Sequence, residues 1–163
     1  MVRITMEDGG IIDIELNEEV APITCENFKK LVSEGFYNGL TFHRVIPDFV
    51  IQGGCPNTRD MTCEQVAAGQ AGPDGQPGTG GPGWCIQEEF STNPRNSHED
   101  GALAMARSMD PNSAGSQFYF CLGPQHNLDS GYTVFGATVE GKDVIGALRA
   151  GDEIVKVDIV HGA

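Results

Sequence analysis

The chain has 163 residues, 39% of them hydrophobic, which is enough to bury one large core and argues against a disordered polypeptide. Its 23 acidic and 10 basic residues give a formal net charge of −13. Because an acidic surface repels phosphate groups, nucleic acid and anionic membrane surfaces are excluded as default partners.

A β-hairpin is predicted at the start of the chain. Apolar residues alternate with polar ones on both sides of a turn signal at residues 8–10, namely at Val2, Ile4, Met6, Ile12, Ile14 and Leu16. Such alternation places these side chains on one buried face of two antiparallel strands.

A helix is predicted next. Its apolar face is formed by Cys25, Phe28, Leu31 and Val32, which recur at helical spacing. Pro22 suits the first turn of this helix, and Gly35 is expected to end it.

Six more strands and a second helix are predicted downstream. The strands cover residues 40–45, 49–52, 102–106, 117–122, 133–139 and 154–160, the helix covers 142–149, and an ordered pattern also resumes at 84–90. Many short strands between glycine and proline turns indicate a mainly β protein. We expect a closed antiparallel eight-stranded β-barrel capped by two short α-helices.

Glycine, proline and polar residues dominate residues 56–83, so a long loop is expected there, with a possible short helix at 63–68. Long loops inside compact domains are usually functional or mobile. Residues 1–163 are expected to form a single domain with an inserted loop at about 56–77.

The location of the protein is predicted from what the sequence lacks. No secretory signal precedes the first periodic segment, and no run of about 18 apolar residues marks a membrane span. The cysteines are odd in number and not tightly spaced, at Cys25, Cys55, Cys63, Cys85 and Cys121. Reduced thiols and a cytoplasmic location are therefore expected.

Residues 42–54 (FHRVIPDFVIQGG) are the most informative stretch of the chain. They place the guanidinium of Arg44, the ring of Phe49 and the amide of Gln52 among aliphatic residues. An apolar pocket with a few convergent polar groups is the usual form of a small-ligand site. The chain contains no G-x-S-x-G elbow, P-loop lysine motif or dinucleotide fingerprint, and its histidines lack zinc spacing. No metal or cofactor is expected.

This stretch also resembles the signature of the cyclophilins, the cyclosporin-binding class of peptidyl-prolyl cis-trans isomerases. Residues 101–120 (GALAMARSMDPNSAGSQFYF) and 128–136 (LDSGYTVFG) resemble two further cyclophilin motifs in the same order. The resemblance covers residues 1 to about 55 and about 78 to 160. It implies a cyclophilin-like fold and an enzyme that rotates X-Pro peptide bonds and assists protein folding.

The resemblance also implies roles for individual residues. Arg44 matches the catalytic arginine, and Gln52 matches the glutamine that orders it and contacts the substrate backbone. Substrate binding is implied for Phe49, Val50, Met105, Ala106, Arg107, Gln117, Tyr119, Leu128, Tyr132, Gly78 and Asn127. His43 is expected to be structural, with its ring hydrogen-bonded inside the barrel.

Five of these positions depart from common family patterns. Val50 replaces the usual methionine, and Tyr119 adds a hydroxyl to the usual phenylalanine. Arg107 stands where eukaryotic members usually carry asparagine, and Tyr132 where many have histidine. Asn127 stands where the best-known cyclosporin-sensitive members have tryptophan, so cyclosporin binding is expected to be weak.

Several alternatives stay open from the sequence. The insertion is either a tolerated surface loop or a segment that gates the substrate or binds a partner. Cys55 and Cys63 could form a disulfide, although free thiols are expected. The competing function is a non-catalytic proline-peptide binding module or chaperone, against which Arg44 and Gln52 favour catalysis. The expected partners are X-Pro-containing peptides and unfolded or flexible protein segments, bound by a monomer.

Overall fold

The computed structural model describes residues 1–73, 75–94 and 96–160. These residues form eight strands: β1 (Val2–Met6), β2 (Ile11–Leu16), β3 (Phe42–Ile46), β4 (Val50–Gly53), β5 (Ala102–Met105), β6 (Phe118–Cys121), β7 (Val134–Glu140) and β8 (Ile154–Ile159). The helices are α1 (Pro22–Ser33), α2 (Cys63–Ala67) and α3 (Lys142–Gly146). All eight predicted strands are present, with ends that differ by one or two residues.

The strands lie in one antiparallel sheet with the order β3-β4-β6-β5-β7-β2-β1-β8. The sheet curls until its two edge strands approach each other. Between these edges, the described residues form one bridge, Thr41–Glu153, and a few backbone hydrogen bonds such as Ile154 N to Leu40 O at 2.8 Å. The mainly β, eight-stranded fold is confirmed, but "closed" overstates it, because β3 and β8 do not pair along their length.

The described residues contain three α-helices rather than the two predicted to cap the barrel. The additional helix is α2, at the position marked as a possible short helix. It begins with a capping box: Thr62 Oγ1 accepts from Gln65 N at 3.1 Å, and Thr62 N donates to Gln65 Oε1 at 3.0 Å. Residues 84–90, where order was expected, form only the isolated bridge Ile86–Ala114.

Helix α1 begins without a capping side chain of its own, because Ala21 occupies the N-cap position. A distant carboxylate takes that role. Glu89, which is 4% exposed, accepts hydrogen bonds from Ile23 N at 3.3 Å and Thr24 N at 2.7 Å. Helix α1 is thereby tied to the chain segment that leads towards β5.

Alternation along β4, β5 and β6 sends side chains to two opposite faces of the sheet. The inner face joins the main core with Ile51, Leu103, Met105, Phe118 and Phe120. The outer face carries a second set, the outer apolar cluster, formed by Val50, Ala102, Ala104, Tyr119, Cys121 and Val134. The outer apolar cluster is the foundation of the candidate site.

The described part of the chain contains no helix long and apolar enough to cross a membrane. All five cysteines are free thiols in the structure. Cys55 is buried and Cys63 is exposed.

Candidate active site

The outer apolar cluster collects side chains predicted to hold a proline ring. Val50 and Tyr119 belong to it and are each 4% exposed. Phe49, Leu128 and Tyr132 pack against it and stay partly exposed. The rings of Tyr119 and Tyr132 meet edge to face, with centroids 6.0 Å apart. A buried floor with partly open apolar walls suits a small non-polar ring.

Strand register places Arg44 at the edge of this cluster. Arg44 lies opposite Gln52 in the β3–β4 pair, and Gln52 lies opposite Tyr119 in the β4–β6 pair. The Arg44 side chain is exposed, and its Nη1 donates to Gln52 Oε1 at 3.4 Å. Because a guanidinium keeps its charge at physiological pH, a permanently charged donor stands beside the apolar cluster.

A chain of side-chain amides holds Gln52 in turn. Gln52 Nε2 donates to Gln117 Oε1 at 2.8 Å, and Gln117 Nε2 donates to Gly80 O at 2.8 Å. The amide chain connects Arg44 to the glycine-rich loop 78–83. Sequence reasoning identified both glutamines but not their link to this loop.

A cavity of about 670 Å³ lies beside the amide chain. Its lining includes Gly78, Thr79, Trp84, Ala106, Arg107 and Gln117. Cys55 fixes its rim, because Cys55 Sγ accepts from Gly78 N at 3.2 Å and Gly80 N at 3.3 Å. Gly78 has φ +96°, a left-handed conformation that favours glycine. No feature of the sequence pointed to a thiol as the anchor of this loop.

Arg107 contacts Tyr132, which packs against the outer apolar cluster. Its guanidinium carbon lies 4.7 Å from the centroid of the Tyr132 ring, and its Nε donates to Gly131 O at 2.7 Å. The first contact is a cation–π interaction. Arg107 therefore stiffens the position of Tyr132.

Two residues that sequence reasoning missed lie beneath the cluster. The His98 side chain is 0% exposed; its Nε2 lies 2.8 Å from Tyr119 Oη and its Nδ1 lies 2.9 Å from Asp129 Oδ1. Burial lowers the pKa of His98, and the neighbouring Asp129 opposes that shift only in part. Burial also disfavours the charged form of Tyr119 and so raises its pKa. The one sequence signal was Tyr119 itself, since a buried phenol must find a hydrogen-bond partner.

Two predicted residues stand apart from the cluster. Met105 is 2% exposed and packs in the main core, on the face of β5 opposite Ala104, so its side chain does not line the site. Asn127 is exposed on a single turn of 3₁₀ helix, His126–Leu128.

The expectation for His43 is wrong in one respect. Its Nδ1 is buried and has no hydrogen-bond partner among the described residues. Burial, with a smaller contribution from the charge of Arg44, lowers the pKa of His43 to about 4. The ring is therefore neutral near pH 7 and acts as a packing group against the glycine-rich loop, since an added Cβ at Gly78 would stand 3.4 Å from His43 Nε2.

Acid should destabilise the fold through His43. The unfolded chain binds a proton near the ordinary pKa of 6.5, whereas the folded chain resists it down to about 4. The contribution of His43 to the free energy of unfolding is thus fully present above pH 6.5. It is lost as the pH falls to 4, and the loss reaches about 3 kcal/mol. Urea unfolding at several pH values should show this loss in the wild type and a smaller one in His43→Asn. Identical pH dependence in the two proteins would contradict the assignment.

The chain is similar to known proteins over most of its length. The family model described as cyclophilin type peptidyl-prolyl cis-trans isomerase/CLD matches residues 1–161. Peptidyl-prolyl cis-trans isomerase B of Bacillus subtilis is 43% identical over 154 residues, covering 94% of each chain. A peptidyl-prolyl cis-trans isomerase of Synechococcus elongatus is 42% identical over 158 residues, covering 96% of this chain and 94% of that one.

A solved structure of a cyclophilin has a similar fold. A cyclophilin type peptidyl-prolyl cis-trans isomerase from Cryptosporidium parvum, crystallised in the presence of the dipeptide Ala-Pro, superposes with a TM-score of 0.78 at 25% identity. The similarity covers 99% of both chains.

Proposed function

The chain belongs to the cyclophilin-type peptidyl-prolyl cis-trans isomerases, and we propose that Arg44 and Gln52 catalyse its reaction while the outer apolar cluster holds the proline ring. The observation that carries this proposal is the row formed by Arg44, Gln52 and Tyr119 across three neighbouring strands. One charged donor and one amide thereby border a partly open apolar surface.

Rotation of an X-Pro bond needs little more than a charged donor beside an apolar ring-binding surface. An X-Pro bond resists rotation because amide resonance creates a barrier of about 18–20 kcal/mol. The bond rotates without any covalent exchange, so the enzyme only has to bind the twisted amide more tightly than either planar form. Twisting localises a lone pair on the prolyl nitrogen. A fixed cationic donor aimed at that nitrogen stabilises the twisted state selectively.

Each group then has a distinct task. Arg44 donates towards the prolyl nitrogen, and Gln52 holds the guanidinium while its own amide is held by Gln117 at 2.8 Å. Phe49 and Leu128, packed over the floor formed by Tyr119, clamp the ring so that the preceding carbonyl swings. The cavity of about 670 Å³ next to the amide chain accommodates residues that precede the proline.

The substrates are X-Pro bonds in flexible peptides and unfolded protein segments, because the peptide must extend along an open surface. The protein would assist folding, with chaperone-like binding of such segments, as a cytoplasmic monomer. The net charge of −13 supports protein clients over nucleic acid or anionic lipid.

Exchange NMR on a short Ala-Pro peptide tests the proposal. Catalytic amounts of the wild-type protein should broaden and merge the cis and trans resonances, whose uncatalysed exchange takes tens to hundreds of seconds, roughly. Binding shifts without accelerated exchange would instead indicate a non-catalytic proline-peptide binding module.

Cyclosporin should inhibit this protein weakly. Asn127 is exposed beside Leu128, where tryptophan binds the drug in the best-known sensitive members. Asn127→Trp supplies an indole donor and apolar area, so it should tighten inhibition by about tenfold or more. Isomerase assays with a cyclosporin titration compare the two proteins. Equal inhibition of both, or tight inhibition of the wild type, would contradict the role given to position 127.

A further inference from the structure

A buried polar chain runs beneath the outer apolar cluster, and the isomerase mechanism above does not use it. Tyr119 Oη lies 2.8 Å from His98 Nε2, and His98 Nδ1 lies 2.9 Å from Asp129 Oδ1. Asp129 Oδ2 continues to His126 Nδ1 at 2.9 Å, at the surface. Tyr119 is 4% exposed and His98 is 0% exposed, so solvent scarcely reaches their shared hydrogen bond.

The contacts fix the direction of the hydrogen bonds. Asp129 Oδ1 also accepts from the backbone N–H of His98 at 2.6 Å, as an ionised carboxylate does. Hydrogen bonds from His98 and His126 lower the pKa of Asp129 against the opposing effect of burial. Nδ1 of His98 therefore carries the proton, which leaves Nε2 with a lone pair. Tyr119 donates its hydroxyl proton to that lone pair.

We propose that His98, oriented by Asp129, is a positioning residue that holds the Tyr119 ring as the floor of the proline site. The inference rests on the proposed function of the outer apolar cluster. His98 touches no substrate and acts only through Tyr119.

Packing explains why the floor needs an anchor. The other buried members of the cluster have short side chains, which leave the Tyr119 ring few large packing partners: Val50, Ala102, Ala104, Cys121 and Val134. The His98 and Tyr119 rings are nearly parallel, at 11° with centroids 5.9 Å apart, and are joined end to end by the 2.8 Å contact between Nε2 and Oη. Tyr132 forms an edge-to-face pair with Tyr119. His98 therefore fixes the hydroxyl end of the ring, in addition to the contact that Tyr132 makes.

The proposal predicts that loss of either partner of the Tyr119–His98 hydrogen bond weakens substrate binding. Tyr119→Phe leaves the His98 Nε2 lone pair buried without a donor, and His98→Leu leaves the phenol without its acceptor. Each change should raise KM for an Ala-Pro peptide about fivefold and alter kcat less than twofold, because pocket shape rather than the Arg44 contact is disturbed. The double variant removes both buried polar groups, so its KM should be no higher than that of either single variant.

Two further variants separate positioning from stability alone. His98→Gln places an amide oxygen where Tyr119 can donate, so its KM should stay within twofold of the wild type. Tyr37→Phe is the matched control: Tyr37 is buried at 0% exposure and donates to Ser116 O at 2.8 Å within the main core. It should lower the melting temperature and leave KM unchanged.

The experiment is NMR line-shape analysis of the peptide with each full-length variant, at a temperature where circular dichroism shows all of them folded. Wild-type KM in both single variants, or additive changes in the double variant, overturns the proposal. If His98→Leu does not fold, Tyr119→Phe and His98→Gln decide the matter. If the wild type binds without catalysing, the peptide dissociation constants from the same spectra replace KM, so failure of the proposed function is distinguished from failure of the anchor.

Discussion

Arg44→Ala should lower kcat/KM for an Ala-Pro peptide by about 100-fold, the usual effect of removing one donor that acts in the transition state. Most of the loss should fall on kcat, because the ring-binding surface formed by Phe49, Tyr119 and Leu128 is untouched. Exchange NMR measures the rate, and chemical-shift titration measures the peptide affinity, which should change less than about fivefold.

Controls for this experiment separate charge, geometry and general effects. Arg44→Lys keeps a positive charge but loses the planar fork that Gln52 Oε1 holds at 3.4 Å, so it should recover only part of the rate. Arg149→Ala removes one exposed arginine that belongs neither to the outer apolar cluster nor to the lining of the cavity, so it should leave the rate unchanged. Isomerisation by Arg44→Ala within threefold of the wild type would rule out the role assigned to Arg44.

The proximity of Arg44 and Gln52 in the candidate site was predictable because they are close in sequence. Arg44 and Gln52 lie on adjacent strands joined by a short turn, so one motif of 13 residues contains both. Antiparallel register then places them side by side. A local motif therefore determines local geometry, and the family resemblance extends the prediction to Gln117 and to Tyr119, which lies opposite Gln52 on β6.

Met105 shows that a matched motif does not tell which of its side chains face the site. It adjoins Ala104 and Ala106 in the matched segment, yet successive residues of a strand face opposite sides. Ala104 belongs to the outer apolar cluster, so Met105 must face the main core, where it is 2% exposed. The alternation of side chains along a strand can be read from the sequence, and it would have excluded the Met105 side chain from the site.

The sequence did not identify the partners in other contacts, because the fold brings distant segments together. His98 reaches Tyr119 and Asp129 from a stretch without regular secondary structure. Cys55 binds the glycine-rich loop across the intervening insertion. Neither contact has a periodicity or a spacing that would mark it beforehand. His98 and Cys55 meet their partners only in the folded, curled sheet.

Glu89 is the strongest case of such a long-range contact, and its removal should have the largest effect on stability. Its carboxylate accepts from Ile23 N, from Thr24 N and from Thr24 Oγ1, the last two at 2.7 Å. Glu89→Ala would leave these donors of α1 without acceptors, and Thr24 is only 1% exposed. Loss of a helix cap costs about 1 kcal/mol, and each buried unsatisfied donor about 1–3 kcal/mol.

We therefore expect Glu89→Ala to lower the free energy of unfolding by about 3 kcal/mol and the melting temperature by roughly 6–12 °C. Glu89→Gln keeps one acceptor oxygen but turns an NH₂ group towards the remaining donors, so it should lose about half as much. Glu26→Ala, which removes an exposed carboxylate from the same helix, should change stability by less than about 0.5 kcal/mol. Urea and thermal unfolding measure all three. A loss for Glu89→Ala no larger than that of Glu26→Ala would disprove the capping role.

The same variant separates stability from catalysis. Glu89 N donates to Thr133 Oγ1 at 3.0 Å, next to Tyr132, so the capping carboxylate lies on a segment that also borders the proline site. The Thr133 bond uses the backbone of Glu89, which an alanine retains, whereas the bonds to α1 use the carboxylate. Glu89→Ala should therefore keep the wild-type kcat/KM at a temperature well below its melting point. A fall of tenfold or more there, with the protein folded, would instead mean that α1 must be anchored for the outer apolar cluster to keep its shape.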